Sequence, residues 1–287
     1  MEETPDESGP ADVDVAHERT LPVNGIEMHV THTGAGHPLL MLHGLTVDAT
    51  FMHREVVEFG RTFRVIAPDL RGHGRTTRPS GFTLDDHVQD LLGLLDALSI
   101  ESAHVMGTSM GSYIAQALAV QAPRRVDKLV LVVAKASGTS TSSARYLADH
   151  ADELVDLSIE EQQRWITQRM FAPETSETIR ADATEWVIAQ QRRGLALSAA
   201  QLKAANDALA GFDFRDDLPQ LDVPTLVISG QHDILNPPEA GAEIARLVPG
   251  AQFEVFEHSG HMLPWEEPDH LVETVRTFLS RPPPQGS

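Results

Sequence analysis

Gly107-Thr-Ser-Met-Gly111 sets a serine between two glycines at the point where one structural pattern gives way to another. Val105 and Met106 close a short apolar run, and residues 113–120 are small and strongly helix-forming. The chain must therefore turn from strand to helix within about three residues, with Ser109 at the apex. A turn that sharp strains the nucleophile's backbone, and a glycine two residues to either side removes the Cβ atoms that would collide as strand and helix close. The hydroxyl is then exposed at a helix N-terminus, where backbone N–H groups favour developing negative charge. The arrangement is a nucleophile elbow. Two glycines flank a given serine by chance roughly once in two hundred trials at ordinary glycine usage, so its surroundings must carry the reading.

The chain has 287 residues, 41% of them hydrophobic, enough for a substantial core. It has no cysteine, which removes disulfides, a thiol nucleophile and Cys-based metal centres together and fits the cytoplasm. A net charge of −20 argues against nucleic acid and anionic membrane surfaces as partners. The opening residues are acidic and lack the basic and apolar regions of a signal peptide, and no apolar run is long enough to span a bilayer.

The elements that must position Ser109 follow in order. Residues 1–17 are expected to be a disordered acidic leader. Two alternating runs joined at Asn24-Gly25 predict a hairpin. The apolar run 38–42 predicts a strand ending at His43-Gly44-Leu45; a helix near 49–61 and a strand at 63–67 follow, closing on the loop 68–75. From Thr83 as N-cap, Leu84, Val88, Leu91, Leu92, Leu95 and Leu98 recur at helical spacing. After the elbow, residues 128–134 predict a buried strand. Between 136 and 217 the pattern is helical only, with segments near 143–157, 160–170, 177–191 and 199–210. Strand–helix alternation resumes with strands at 224–230 and 252–256, and helices from 238 and 268. Pro282 to Pro284 end the last one, leaving 282–287 as a disordered tail. Such alternation predicts an α/β fold: a mostly parallel central sheet with helices on both faces. Right-handed crossovers put Ser109, His43-Gly44 and the loops after Gly230 and Phe256 at one sheet edge, where ligands bind.

Five motifs in order, His43-Gly44, Asp69-Leu-Arg-Gly-His-Gly74, Gly107-Thr-Ser-Met-Gly111, Gly230-Gln-His-Asp233 and Gly260-His261, resemble the α/β-hydrolase superfamily with a helical cap. The resemblance covers about residues 20–281, with a core of 18–135 and 218–281 and a cap of 136–217 matching in position and helical character. It implies the chain order nucleophile, acid, base: Ser109, Asp233, His261. Ser109 attacks a carbonyl carbon once a base takes its proton. His261 alone among fourteen histidines follows a glycine in the last strand–helix loop, where the resemblance expects the base. Asp233 orients the imidazole and stabilises its charged form. Its bland alternative is a turn aspartate, but the position after the preceding strand, Ala134-Lys-Ala-Ser137, has no carboxylate. Asp69 is assigned to the structure of the Gly-His-Gly loop. The oxyanion hole is expected from the backbone N–H groups of Leu45 and Met110.

No phosphate or dinucleotide fingerprint is present, and His29 and His32 lack a third ligand at sensible spacing, so neither cofactor nor metal is implied. The expected activity is a serine hydrolase cleaving a small to medium carboxylic ester or lactone through an acyl-enzyme. Trp165, Phe171, Trp186 and Phe212 are candidates for an apolar acyl pocket, against the plainer reading of core aromatics. Arg192-Arg193 is a candidate carboxylate grip, against a solvated pair. The triad equally fits carbon–carbon bond hydrolases, amidases and cofactor-free perhydrolases of the haloperoxidase type, and a receptor retaining the fold without turnover is a separate class of reading. A homo-oligomer is left open.

Overall fold

A computed structural model describes residues 16–281; residues 1–15 of the leader expected over 1–17, and the tail 282–287, lie outside the described residues. β1 (His17–Val23) and β2 (Ile26–Thr33) form the hairpin, so the first strand already starts at His17. Asn24 and Gly25 take φ of 42° and 76°, the left-handed pair of a two-residue turn whose twist matches the strands. β3 (Pro38–Leu42) follows. The expected first helix divides into a 3-10 turn, Ala49–Met52, capped by the Asp48 side chain, and α1 (His53–Gly60). Then come β4 (Arg64–Pro68) and α2 (Leu84–Ala97). Thr83 and Asp86 close a capping box at the start of α2, each side chain taking the other's backbone N–H.

β5 (Ala103–Thr108) leads through Ser109 into α3 (Met110–Gln121), and β6 (Val126–Val132) follows. After β6 the chain makes a short strand β7 (Ser137–Gly138) and the helices α4 (Ser142–Asp149), α5 (Ala151–Leu154), α6 (Ile159–Arg169), α7 (Glu177–Arg192) and α8 (Ala199–Ala208). The helix expected at 143–157 is thus two, parted at His150. β8 (Phe212–Asp213) returns antiparallel to β7, so the helical excursion leaves and rejoins the sheet through one narrow neck. β9 (Thr225–Gly230), α9 (Pro238–Leu247), β10 (Gln252–Phe256), α10 (Leu263–Glu266) and α11 (Pro268–Ser280) complete the chain.

The main sheet has eight strands in the order β1-β2-β4-β3-β5-β6-β9-β10. Only β2 runs against the others, because β1 and β4 both pair with it antiparallel and the remaining pairs are parallel. The central strands β3, β5, β6 and β9 are buried at nearly every position because both faces are covered. Leu40, Leu42, Val105, Leu129, Leu131 and Val227 pack into one core with residues of α2, α3 and α9. Their sequence neighbours Leu39, Met41, Met106, Val130, Val132 and Ile228 pack into another with α1 and α11. This is the mostly parallel, doubly covered sheet that the alternation predicts and the α/β-hydrolase fold that the resemblance implies. Among the described residues no helix is long and apolar enough to cross a membrane.

Candidate active site

Ser109 sits between β5 and α3 at φ 53° and ψ −115°. A non-glycine residue there costs about 1–3 kcal/mol and persists only when its surroundings force it. They do: Ser109 N–H donates to the Val132 carbonyl at 2.9 Å, and its own carbonyl accepts from Ser112 N–H at 2.9 Å and Ser112 Oγ at 2.6 Å. A Cβ on Gly107 would lie 2.2 Å from the Gly111 carbonyl oxygen, and one on Gly111 would lie 2.2 Å from that of Leu42. The two glycines let α3 descend directly onto β5 and β3.

His261 follows β10, and its Nε2 is 2.9 Å from Ser109 Oγ. Its Nδ1 is 2.8 Å from Asp233 Oδ2. An ionised carboxylate can only accept, so Nδ1 carries the proton and Nε2 faces the serine with its lone pair. Asp233 follows β9; its other oxygen, Oδ1, accepts the N–H groups of Leu235 at 2.8 Å and Asn236 at 2.9 Å. Both Asp233 and His261 are buried.

The loop after β3 reaches the same place. Leu70 N–H donates to His43 Nε2 at 2.9 Å, which makes that nitrogen the acceptor and leaves Nδ1–H to donate to the Gly44 carbonyl at 2.7 Å. Burial favours this neutral ring by lowering the His43 pKa. Leu45 and Met110 line the same cavity as Ser109 and His261, with Gly44 at its edge. Asp69 accepts Ala49 N–H at 3.0 Å and Arg75 N–H at 2.8 Å, and it fills the space a Cβ on Gly74 would take. It belongs to the frame of the Gly-His-Gly loop.

The cavity over Ser109 measures about 240 Å³. Its walls are mostly aliphatic, with Leu45, Phe51, Ile166, Met170, Val187 and Leu235 among them. Among the described residues its polar lining consists of hydroxyls, including Thr141 and Ser142, the Asn206 amide and the His261 imidazole, with no Lys, Arg, Asp or Glu. Tyr113 also lines it, and burial raises the phenol to about 12, so that it stays protonated. Asn236 Nδ2 donates to the Tyr113 hydroxyl at 2.8 Å.

The four aromatics offered as candidates for an acyl pocket are not among its described lining residues and follow the plainer reading of packing aromatics. Phe171 packs with Ala183 and Met262, Trp165 stacks under Arg169, Trp186 meets the edge of Phe51, and Phe212 stacks on Tyr113. All four are accounted for by packing, and the aromatic rings that line the cavity among the described residues are Phe51 and Tyr113. Arg192 and Arg193 are exposed and outside the cavity, with Arg192 on Glu185.

Sequence reasoning missed Glu266. Its Oε1 accepts Ala172 N–H at 2.6 Å and Thr175 Oγ1–H at 2.5 Å, while Oε2 accepts Gly260 N–H at 2.8 Å. One carboxylate thus ties the segment after α6 to the residue preceding His261. Nothing in Leu263-Pro-Trp-Glu-Glu267 signals this, because two of its three donors, Ala172 and Thr175, lie more than ninety residues away.

Comparison with known proteins agrees with this architecture. The sequence model of the α/β-hydrolase fold matches residues 37–268. A 2-hydroxymuconate semialdehyde hydrolase of Pseudomonas sp. strain CF600 is 31% identical, over 91% of this chain and 93% of its own. A thermophilic esterase from Thermogutta terrifontis aligns with a TM-score of 0.75 at 30% identity, covering 92% of this chain and 98% of that one. An enol-lactonase from Burkholderia xenovorans LB400 aligns with a TM-score of 0.77 at 26% identity, covering 92% and 100%.

Proposed function

The chain belongs to the α/β-hydrolase family, and on that premise we propose that it is a serine hydrolase acting on an uncharged carboxylic ester or lactone of small to medium size. The observation that carries the reading is the single line of hydrogen bonds Ser109–His261–Asp233, at 2.9 and 2.8 Å, opening into an uncharged cavity. Ser109 Oγ attacks the substrate carbonyl while His261 Nε2 takes its proton. The Asp233 carboxylate holds the resulting imidazolium without taking a proton itself. The N–H groups of Leu45 and Met110 receive the developing oxyanion. His261 then protonates the leaving alkoxide, and water repeats the sequence on the acyl-enzyme to release the acid. These steps use this chain's own groups and water. Residues 136–217 are the cap that roofs the site and selects the acyl group.

The cavity chemistry favours an uncharged substrate over the kind named for the Pseudomonas relative. Muconate is a carboxylate, and a carboxylate in an apolar cavity without a cationic partner carries a large desolvation cost. Carbon–carbon bond hydrolysis of an anionic dienone is the second reading, favoured by that likeness and opposed by the uncharged lining.

The test is the intact mass of wild type and Ser109→Ala after exposure to a fluorophosphonate, followed by a panel of esters, lactones and dienoates. One adduct on wild type, none on the variant, and turnover greatest on uncharged esters or lactones is the expected result. Absence of an adduct on wild type would remove the nucleophile assignment, and faster turnover of a dienoate would favour the second reading.

A further inference from the structure

At the opposite end of the sheet, three residues that no catalytic step uses converge from three adjacent strands. His37 immediately precedes β3, His104 is the second residue of β5 and Asp127 the second of β6. β5 pairs with both β3 and β6, which brings the three together although His37 and Asp127 are 90 residues apart. One donor atom from each lies within 4.8 Å of the others. His37 Nε2 sits 2.8 Å from Asp127 Oδ2, and the His37 and His104 rings lie with centroids 4.2 Å apart. His104 is 7% exposed, and its buried Nδ1 has no hydrogen-bond partner.

We propose that His37, His104 and Asp127 form a binding site for one Zn²⁺-class divalent ion, which ties the N-terminal ends of β3, β5 and β6 together. Two imidazoles and a carboxylate are a donor set of the kind that Zn²⁺ takes, leaving a fourth position to water. Bonds of about 2.1 Å at tetrahedral angles put donors about 3.4 Å apart. His37 Nε2 and Asp127 Oδ2, at 2.8 Å, therefore need to part by about half an ångström, while the other donor pairs, all within 4.8 Å, close by on the order of 1 Å at most. His37 is exposed and Asp127 partly so, which leaves both side chains room to make these shifts while His104 stays as the buried anchor. The neighbouring cation Lys128 does not occupy the site: its Nζ donates to the carbonyls of Phe278, Leu279 and Arg281 at the end of α11. The chain's net charge of −20 also favours a cation in general. His104 and Ser109 lie five residues apart along one strand, on the order of 16 Å, so the ion is structural and outside the catalytic line.

The experiment uses untagged, chelator-treated full-length protein titrated with Co²⁺, whose visible d–d bands report coordination, and then with Zn²⁺ to displace it. One equivalent bound, with Zn²⁺ displacing Co²⁺ and raising the melting temperature, is expected. His37→Ala and Asp127→Asn, both at accessible positions, are expected to weaken binding by more than about tenfold each. His258→Ala is the control, because His258 and His232 share Glu174 elsewhere on the surface. Absence of a Co²⁺ signal at large excess overturns the site. So does binding that survives both ligand variants, or binding lost with His258→Ala instead.

Discussion

The backbone N–H of His261 donates to the carbonyl of Met170 at 2.7 Å, so the residue proposed as base is held by the segment that leaves α6. Met262 N–H approaches the same oxygen at 3.3 Å, and Glu266 fastens Ala172 and Gly260 on either side of the contact. The position of the imidazole and that of the helical excursion are therefore one structural variable. A Cβ on Gly260 would stand 2.3 Å from the Met170 oxygen, which is why glycine precedes His261.

Gly260→Ala is accordingly expected to lower kcat by about 10²-fold, the scale on which an ångström of misplacement acts in an active site. Its stability loss should stay near the ~1–3 kcal/mol of an overpacked contact. Steady-state kinetics beside denaturant unfolding separates the two. Full activity in a variant destabilised by that amount would dissociate the seam from the position of His261.

Leu45→Pro removes one backbone N–H while leaving the triad side chains intact. A fall in kcat of about 10²–10³ is expected, the usual cost of one oxyanion donor. Circular dichroism establishes whether the fold survives. A folded variant with unchanged kcat would take Leu45 out of the oxyanion hole.

Ile166 projects from α6 into the cavity and is buried. Ile166→Ala should enlarge the acyl site, moving the ratio of kcat/KM for hexanoate over acetate esters upward by about tenfold or more, since a single methylene is worth about 1–3 kcal/mol in such a pocket. An unchanged ratio would mean that the acyl group occupies another part of the cavity.

Glu55 in α1 is buried, and desolvation raises its pKa from 4.5 to about 7. A raised carboxyl pKa means that the folded state binds the proton more tightly than the unfolded chain. Stability from this group is therefore full below about pH 4.5 and is lost as pH rises through about 7. The loss is on the order of 3 kcal/mol at most. Glu55→Gln should flatten the stability profile over that window and unfold at higher denaturant than wild type at pH 8. Identical profiles for the two proteins would show that the carboxyl is hydrated in solution.

Arg71 and Asp90 form a buried bidentate pair at 2.5 and 2.7 Å, joined by Asn24 Nδ2 at 2.8 Å, which ties the hairpin turn and the Gly-His-Gly loop to α2. Removing one member of such a pair leaves an unpaired charge, so Asp90→Ala is expected to cost about 3–5 kcal/mol in denaturant unfolding. A cost below about 1 kcal/mol would indicate that water reaches Arg71 freely.

The sequence by itself determined what rests on period and turn chemistry. The elbow at Ser109, the Asn24-Gly25 hairpin, the Thr83 cap and the both-faced burial of the central strands are each specified by residues within a few positions of one another. The mostly parallel sheet with helices on both faces follows from their alternation, and the five motifs carry the resemblance to the α/β-hydrolase fold. Tertiary structure decided whatever depends on which distant segments meet. Helical spacing could not tell that Trp165 and Trp186 pack away from the cavity while Phe51 enters it, since it says which face of a helix is apolar and not what that face meets. The same holds for Glu266 on Gly260 and Ala172, for Met170 above His261, and for His37 beside Asp127. A single carboxylate or imidazole carries no local signature, and its role is set by the donor or charge that folding brings within about 3 Å of it.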